Sequence, residues 1–273
     1  MGLFSWLFGN GKSNAQSGQS NLLDGFWIVS YDYGEVQART LFQRANAGDV
    51  NAQMTIAKCF KDSCEHGYAL PWYEKAAARG NSQALHELTY FYEGRYVGVA
   101  ADPVKAEMLR NKALELNNPD AFLKLGSQYD SGDGVKEDKG KAFEYYMKAA
   151  KLGNGEAMAR VGLCYLNGEG VKQNESQAFN WFLRSNDKYF GYYNLAQCYL
   201  KGIGTTKNME KAVVWLEKAV DCKCMDLSKA REQLADLYRK GYGGSDASKK
   251  LNKLNQEIGK SDRLLDELAN LLM

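Results

Sequence analysis

The sequence predicts an all-α solenoid built from a stack of helix-turn-helix repeats, and three recurrences carry that reading. An alanine is followed four residues later by an aliphatic residue and eight later by an aromatic one. Gly-x-Gly pairs follow that triplet. An aspartate or asparagine then stands three residues before a Lys-Ala or Gln-Ala pair. Successive triplets are 32 to 39 residues apart. A period of that size marks an array whose repeats bury their apolar faces only by stacking on their neighbours.

The triplet stands at Ala52/Ile56/Phe60, Ala84/Leu88/Tyr92, Ala121/Leu125/Tyr129, Ala157/Val161/Tyr165 and Ala230/Leu234/Tyr238, while Gly191/Leu195/Tyr199 has glycine in the alanine slot. Positions 0, +4 and +8 share one helical face, which makes this segment the first helix, helix A, of each repeat. The pairs Gly132/Gly134, Gly168/Gly170, Gly202/Gly204 and Gly241/Gly243 close it, because glycine tolerates the positive φ of a helix end.

Helix B comes next. Asp102 precedes Lys105 and Ala106, Asp138 precedes Lys141 and Ala142, Asn174 precedes Gln177 and Ala178, and Asn208 precedes Lys211 and Ala212. All four are good N-cap residues, and Pro103 suits a first helical position. The helix then carries aromatics such as Tyr145, Tyr146, Trp181, Phe182 and Trp215 and often closes on Lys-Ala-Ala. Three places depart from the pattern. The second repeat has a longer loop from Glu93 to Val99, the first lacks the Gly-x-Gly pair around Cys64, and the fourth helix B ends Arg184, Ser185, Asn186, Asp187, Lys188.

The run from Ala121 through Leu125, Gly126, Tyr129, Gly132, Gly134, Val135, Asp138, Lys141, Ala142, Tyr145, Lys148, Ala149 and Ala150 to Gly153 resembles the Sel1-like repeat, a relative of the tetratricopeptide repeat. The resemblance covers residues 37–243. It implies a right-handed α-solenoid over residues 22–243, with repeats starting near 52, 84, 121, 157, 191 and 230 after a partial one. Residues 1–21 read as an apolar peptide, Gly2 to Phe8, followed by a flexible Gly/Ser/Asn/Gln linker. Residues 244–273 carry Leu251/Leu254/Ile258 and Leu264/Leu265/Leu268/Leu271/Leu272, expected to form capping helices over the last repeat, with a dimer-forming helix as the alternative.

Composition excludes some functions. Lys+Arg 35 against Asp+Glu 33 leaves a net charge of +2, no basis for nucleic-acid binding. Residues 1–8 lack the positive start of a secretory signal, and Trp6 breaks the myristoylation pattern, so a weak membrane contact or a docking peptide remains. Cys59, Cys164 and Cys198 share slot +7 and read as small core residues. Cysteine-rich relatives pair cysteines within a repeat, but the partners for that pairing are missing here. Cys64 with His66, and Cys222 with Cys224, are too scattered for a zinc site, so no metal or cofactor is expected. Reduced thiols fit a cytoplasmic protein.

Only two histidines occur, His66 and His86, and no nucleophile, metalloprotease or phosphate-loop motif accompanies them. An enzyme using His86 is the minor reading. The resemblance implies instead a concave groove lined by the A helices, with inward slots near −1, +2, +6, +9 and +10. These slots nominate His86 and Tyr90 in the second repeat, Leu123, Ser127 and Asp130 in the third, and Leu163 and Asn167 in the fourth. Phe190, Tyr193, Gln197 and Lys201 follow in the fifth and Arg239 in the last. In the run from Tyr189 to Tyr193, Phe190 and Tyr193 are expected in the groove and Tyr189 and Tyr192 in the core. The expected function is a non-enzymatic scaffold or adaptor of bacterial type, monomeric, binding a protein or peptide partner. An immunity-type inhibitor of a toxin or effector and a membrane-tethered adaptor are the alternatives.

Overall fold

The computed structural model describes residue 26 and residues 28–185, 190–222 and 228–256. Within these, the chain is helical throughout and contains no strand. The helices are α1 (28–33), α2 (Glu35–Asn46), α3 (Val50–Asp62), α4 (His66–Ala78), α5 (Ser82–Tyr92), α6 (Pro103–Glu115), α7 (Pro119–Ser131) and α8 (Lys139–Lys151). They continue with α9 (Gly155–Asn167), α10 (Glu175–Arg184), α11 (Phe190–Lys201), α12 (Met209–Asp221), α13 (Ser228–Arg239) and α14 (247–256). Two compact bodies divide between Ala121 and Phe122.

Side-chain capping sets where the helices start. At the B helices, Asp102 accepts from the Lys105 N–H at 3.0 Å, Asp138 from Lys141 at 2.9 Å, Asn174 from Gln177 at 3.0 Å and Asn208 from Lys211 at 2.8 Å. Each cap residue also donates its own N–H to the carbonyl of the +8 tyrosine, Tyr92, Tyr129, Tyr165 or Tyr199, at 2.8 to 2.9 Å. The turn is therefore tied to the end of helix A. A second series caps the A helices: Asp49 accepts from Ala52, Asn81 from Ala84, Asn118 from Ala121 and Asn154 from Ala157, at 2.7 to 3.0 Å. Each such cap is worth about 1 kcal/mol.

The alanines are small because the helices approach closely. Ala52, Ala84, Ala121, Ala157 and Ala230 are all buried, as are the helix-B alanines Ala69, Ala106, Ala142, Ala178 and Ala212. Two loop glycines serve the stacking between repeats. A Cβ on Gly170 would lie 2.0 Å from the Lys139 carbonyl oxygen, and one on Gly204 would lie 2.2 Å from that of Glu175. Each loop thus sits against the first turn of the preceding helix B. Where the first repeat lacks the glycine pair, Cys64 itself takes φ 61° in a three-residue turn between α3 and α4.

In the N-terminal body the core runs from Phe26 and Val29 through Phe42, Ile56, Phe60, Trp72 and Tyr73 to Leu88 and Phe91. In the C-terminal body, Phe182, Leu195 and Cys198 form one cluster, and Leu216, Leu234, Leu237, Tyr238 and Leu254 another. Indexing helix B from its buried alanine gives a core face of Ala69/Tyr73/Ala76, Ala106/Arg110/Ala113, Ala142/Tyr146/Ala149, Ala178/Phe182/Ser185 and Ala212/Leu216/Ala219. Ala247, Leu251 and Leu254 keep the same spacing and pack with Leu234, Leu237 and Tyr238. Residues 247–256 therefore repeat the helix-B spacing and pack against α13.

Ser185 accounts for Gly191. The Ser185 hydroxyl donates to the Gly155 carbonyl at 2.8 Å, and a Cβ on Gly191 would come within 2.9 Å of that hydroxyl oxygen. The alanine of the other repeats has no room there. Residues 1–21, Tyr189, Cys224, Ile258 and the leucines from Leu264 to Leu272 lie outside the described residues, as does the side chain of Phe190.

Candidate partner-binding surface

In the N-terminal body the nominated residues are on α5. Tyr90 is half-buried, and the Arg95 guanidinium lies over its ring, 4.8 Å from the centroid. Burial pushes the Tyr90 hydroxyl up to about 12, with Glu87, Glu93 and Asp120 adding to the rise and Arg95 opposing it. His86, one turn earlier, meets the same ring edge-on at 5.0 Å. It is only 5% exposed, which corrects its assignment to the groove. Ring packing along α5 takes its surface, so it is neither an accessible contact nor an accessible base.

The long loop after α5 has an anchor of its own. Tyr96 stacks on His66 with centroids 4.4 Å apart and leans on Phe91 at 4.5 Å. One residue earlier, Arg95 forms an ion pair with Glu93, its Nε 2.8 Å from a carboxylate oxygen. The other Glu93 oxygen accepts from Arg110 at 2.6 Å. Arg110 fills the helix-B slot held elsewhere by Tyr73, Tyr146, Phe182 and Leu216, and its Nε is buried without a hydrogen-bond partner. Sequence reasoning missed this cluster, although indexing helix B would have exposed Arg110 as the charged member of an apolar series.

In the C-terminal body, Leu123, Ser127 and Asp130 on α7 are half-buried. Asp130 accepts from Lys139 at 2.9 Å and from the Tyr146 hydroxyl at 3.3 Å. Leu163 on α9 packs from the rim onto Ala178, Phe182, Leu195 and Cys198, while Asn167 is exposed. On α11, Tyr193 leans on the last cluster and keeps part of its surface, and Gln197 donates to Gln233 at 2.7 Å. Tyr192 packs against Trp215 at 5.5 Å. Lys201 and Arg239 are exposed.

The cysteines sort by burial. Cys59, Cys164 and Cys198 are buried, and burial pushes their thiols up to about 12, about 11 and about 12. The Cys59 thiol also donates to Asp32 at 2.9 Å. Such thiols stay protonated and make poor nucleophiles. Among the described residues, no group of three or more His, Cys, Asp or Glu is placed to hold a metal, and no helix is long and apolar enough to cross a membrane.

The Sel1 repeat family matches this chain five times, over residues 66–81, 82–118, 119–154, 155–188 and 190–224, more than half its length. The chain belongs to the Sel1 repeat family. Helices α13 and α14 lie beyond those matches yet keep the spacing of this Sel1 repeat protein. Among solved structures it is similar to a Sel1 repeat protein from Oxalobacter formigenes, at 27% identity and TM-score 0.68, over 88% of this chain and 100% of that one. A second likeness is to a protective antigen present in uropathogenic Escherichia coli strains and displaying an SLR fold. It reaches 23% identity and TM-score 0.58 over 88% of this chain and 58% of the antigen. None of the curated proteins matches.

Proposed function

We propose that this Sel1 repeat protein is a non-enzymatic scaffold of the bacterial cytoplasm that binds a protein or peptide through the inner slots of its A helices. The supporting observation is a contrast of slots. Packing positions Ala84, Leu88, Ala157 and Val161 are buried, whereas Tyr90 in the N-terminal body keeps accessible surface, as do Leu123, Leu163 and Tyr193 in the C-terminal body, each one helical turn before polar Ser127, Asn167 or Gln197. Half-exposed aromatics and leucines among polar groups suit a peptide surface, since rigid rings bury much area at small entropic cost.

The test is affinity capture from the native host's lysate with mass spectrometry, comparing wild type with a Leu163→Asp, Tyr193→Asp double variant shown to be folded by circular dichroism. A protein retained by wild type and lost by the variant supports the reading. Equal retention by both removes these slots from it. If the captured protein is a toxic effector, adding the scaffold to its activity assay separates the two roles, because an inhibitor abolishes the activity and an adaptor leaves it.

A further inference from the structure

The second repeat places an arginine where its relatives within the chain place an apolar core residue, and it spends a longer loop beside it. Both departures converge on Glu93. Arg110 rises from the helix-B core slot to hold one carboxylate oxygen at 2.6 Å, and Arg95 takes the other at 2.8 Å. Burying a charge in a packing slot is costly unless it is paired, so Arg110 makes sense only together with Glu93. The loop is pinned independently by Tyr96 between His66 and Phe91, which fixes Arg95 above the Tyr90 ring.

One carboxylate shared by two guanidinium groups leaves the cluster one positive charge in excess. Of the neighbouring acids, Glu87 is already paired with Lys61 at 2.9 Å and Asp120 acts on the Tyr90 hydroxyl. Arg110 and Glu93 are largely covered, at 22% and 19% side-chain exposure, whereas Arg95 is 50% exposed. The surplus charge is therefore offered by Arg95. Its Nε lies 2.8 Å from Glu93 and its guanidinium carbon 4.8 Å from the centre of the Tyr90 ring, so the terminal amino groups are the donors left for a partner. An arginine fork held in this way matches a carboxylate in shape and charge, and its ordering cost is met before any partner arrives.

We propose that Arg95 is the docking point for an aspartate or glutamate side chain of the partner peptide. Glu93 and Arg110 act as positioning residues and Tyr90 as the platform. The proposal rests on the scaffold reading above and adds to it the chemistry of the partner at one repeat.

The test uses the full chain and a phage-displayed library of random peptides. Peptides selected on wild type are expected to share an acidic residue at one position. By fluorescence anisotropy, their dissociation constants rise about tenfold or more on Arg95→Ala and less on Arg95→Lys, which keeps the charge and loses the fork. Replacing the shared acid by its amide in the peptide gives a similar loss on wild type and little further loss on Arg95→Ala. That peptide arm on wild type needs no protein variant, so it stands whatever a substitution does to folding. Selected peptides without a common acid, or acidic peptides that bind Arg95→Ala as tightly as wild type, overturn the proposal. Peptides whose binding depends only on Leu163 and Tyr193 overturn it while leaving the scaffold reading in place. A library that yields no binder to wild type overturns both.

Discussion

Helices α6 and α10 occupy the same place in their repeats and start from the same kind of cap, yet they close their cores in opposite ways. On α10, Phe182 is fully buried against Gly162, where an added Cβ would sit 2.5 Å from the ring. On α6 the equivalent residue is Arg110, bonded to Glu93, and the slot equivalent to Gly162 is Thr89, whose hydroxyl donates to the Leu85 carbonyl. The lesson is that the backbone of the repeat is set by its alanines, caps and loop glycines. The +4 slot of helix B is then free to hold either a ring or an ion pair, provided the facing residue changes with it.

The largest test of that contrast is Phe182→Ala, which leaves a ring-sized void and should lower stability by about 3 to 5 kcal/mol in chemical denaturation. A loss under about 1 kcal/mol would mean that the ring is not central to the core. Gly162→Ala comes next, with an expected cost of about 1 to 3 kcal/mol, because Phe182 has to leave its rotamer to admit the methyl. If Gly162→Ala is stabilising, the ring is not seated as described.

Asp102→Ala and Asn174→Ala, on the two helices compared, should each cost about 1 kcal/mol, since the caps make the same bond. Unequal losses would show that the two repeats differ in their turns as well as their cores. Arg110→Met should change stability by less than about 1 kcal/mol, because an apolar side chain of similar length suits the slot and Glu93 keeps Arg95. A large loss there would mean that the ion pair is needed for folding.

The smallest effect concerns Tyr146, the tyrosine in this slot on α8, whose hydroxyl burial pushes from 10.0 up to about 12. Above pH 10 the unfolded chain loses this proton and the folded chain keeps it. Its contribution, fully present below pH 10, is therefore lost as pH rises toward 12. Thermal melts of wild type should fall over that window more steeply than those of Tyr146→Phe. Parallel curves would place the hydroxyl in water.

Much of the fold was legible because it rests on short-range chemistry. Asp102, Asp138, Asn174 and Asn208 cap helices that begin one residue later, and the Ala/Leu/Tyr triplets lie on one helical face, so spacing along the chain is enough to find them. The caps at Asp49, Asn81, Asn118 and Asn154 are equally local, each standing three residues before its alanine slot. The candidate surface was only partly legible. Repeat spacing nominated Tyr90, Leu163 and Tyr193, which keep accessible surface, and also His86, which ring packing buries.

The sequence by itself determined the repeat, its two helices, their caps and the glycines of its loops, because each depends on residues within about one turn of one another. Tertiary structure alone decided that Ser185 leaves no room for a methyl at Gly191, that Tyr96 packs between His66 and Phe91, and that Arg110 and Arg95 meet on Glu93. Those outcomes depend on which side chains fill the same space once helices stack, and no periodicity along the chain encodes that.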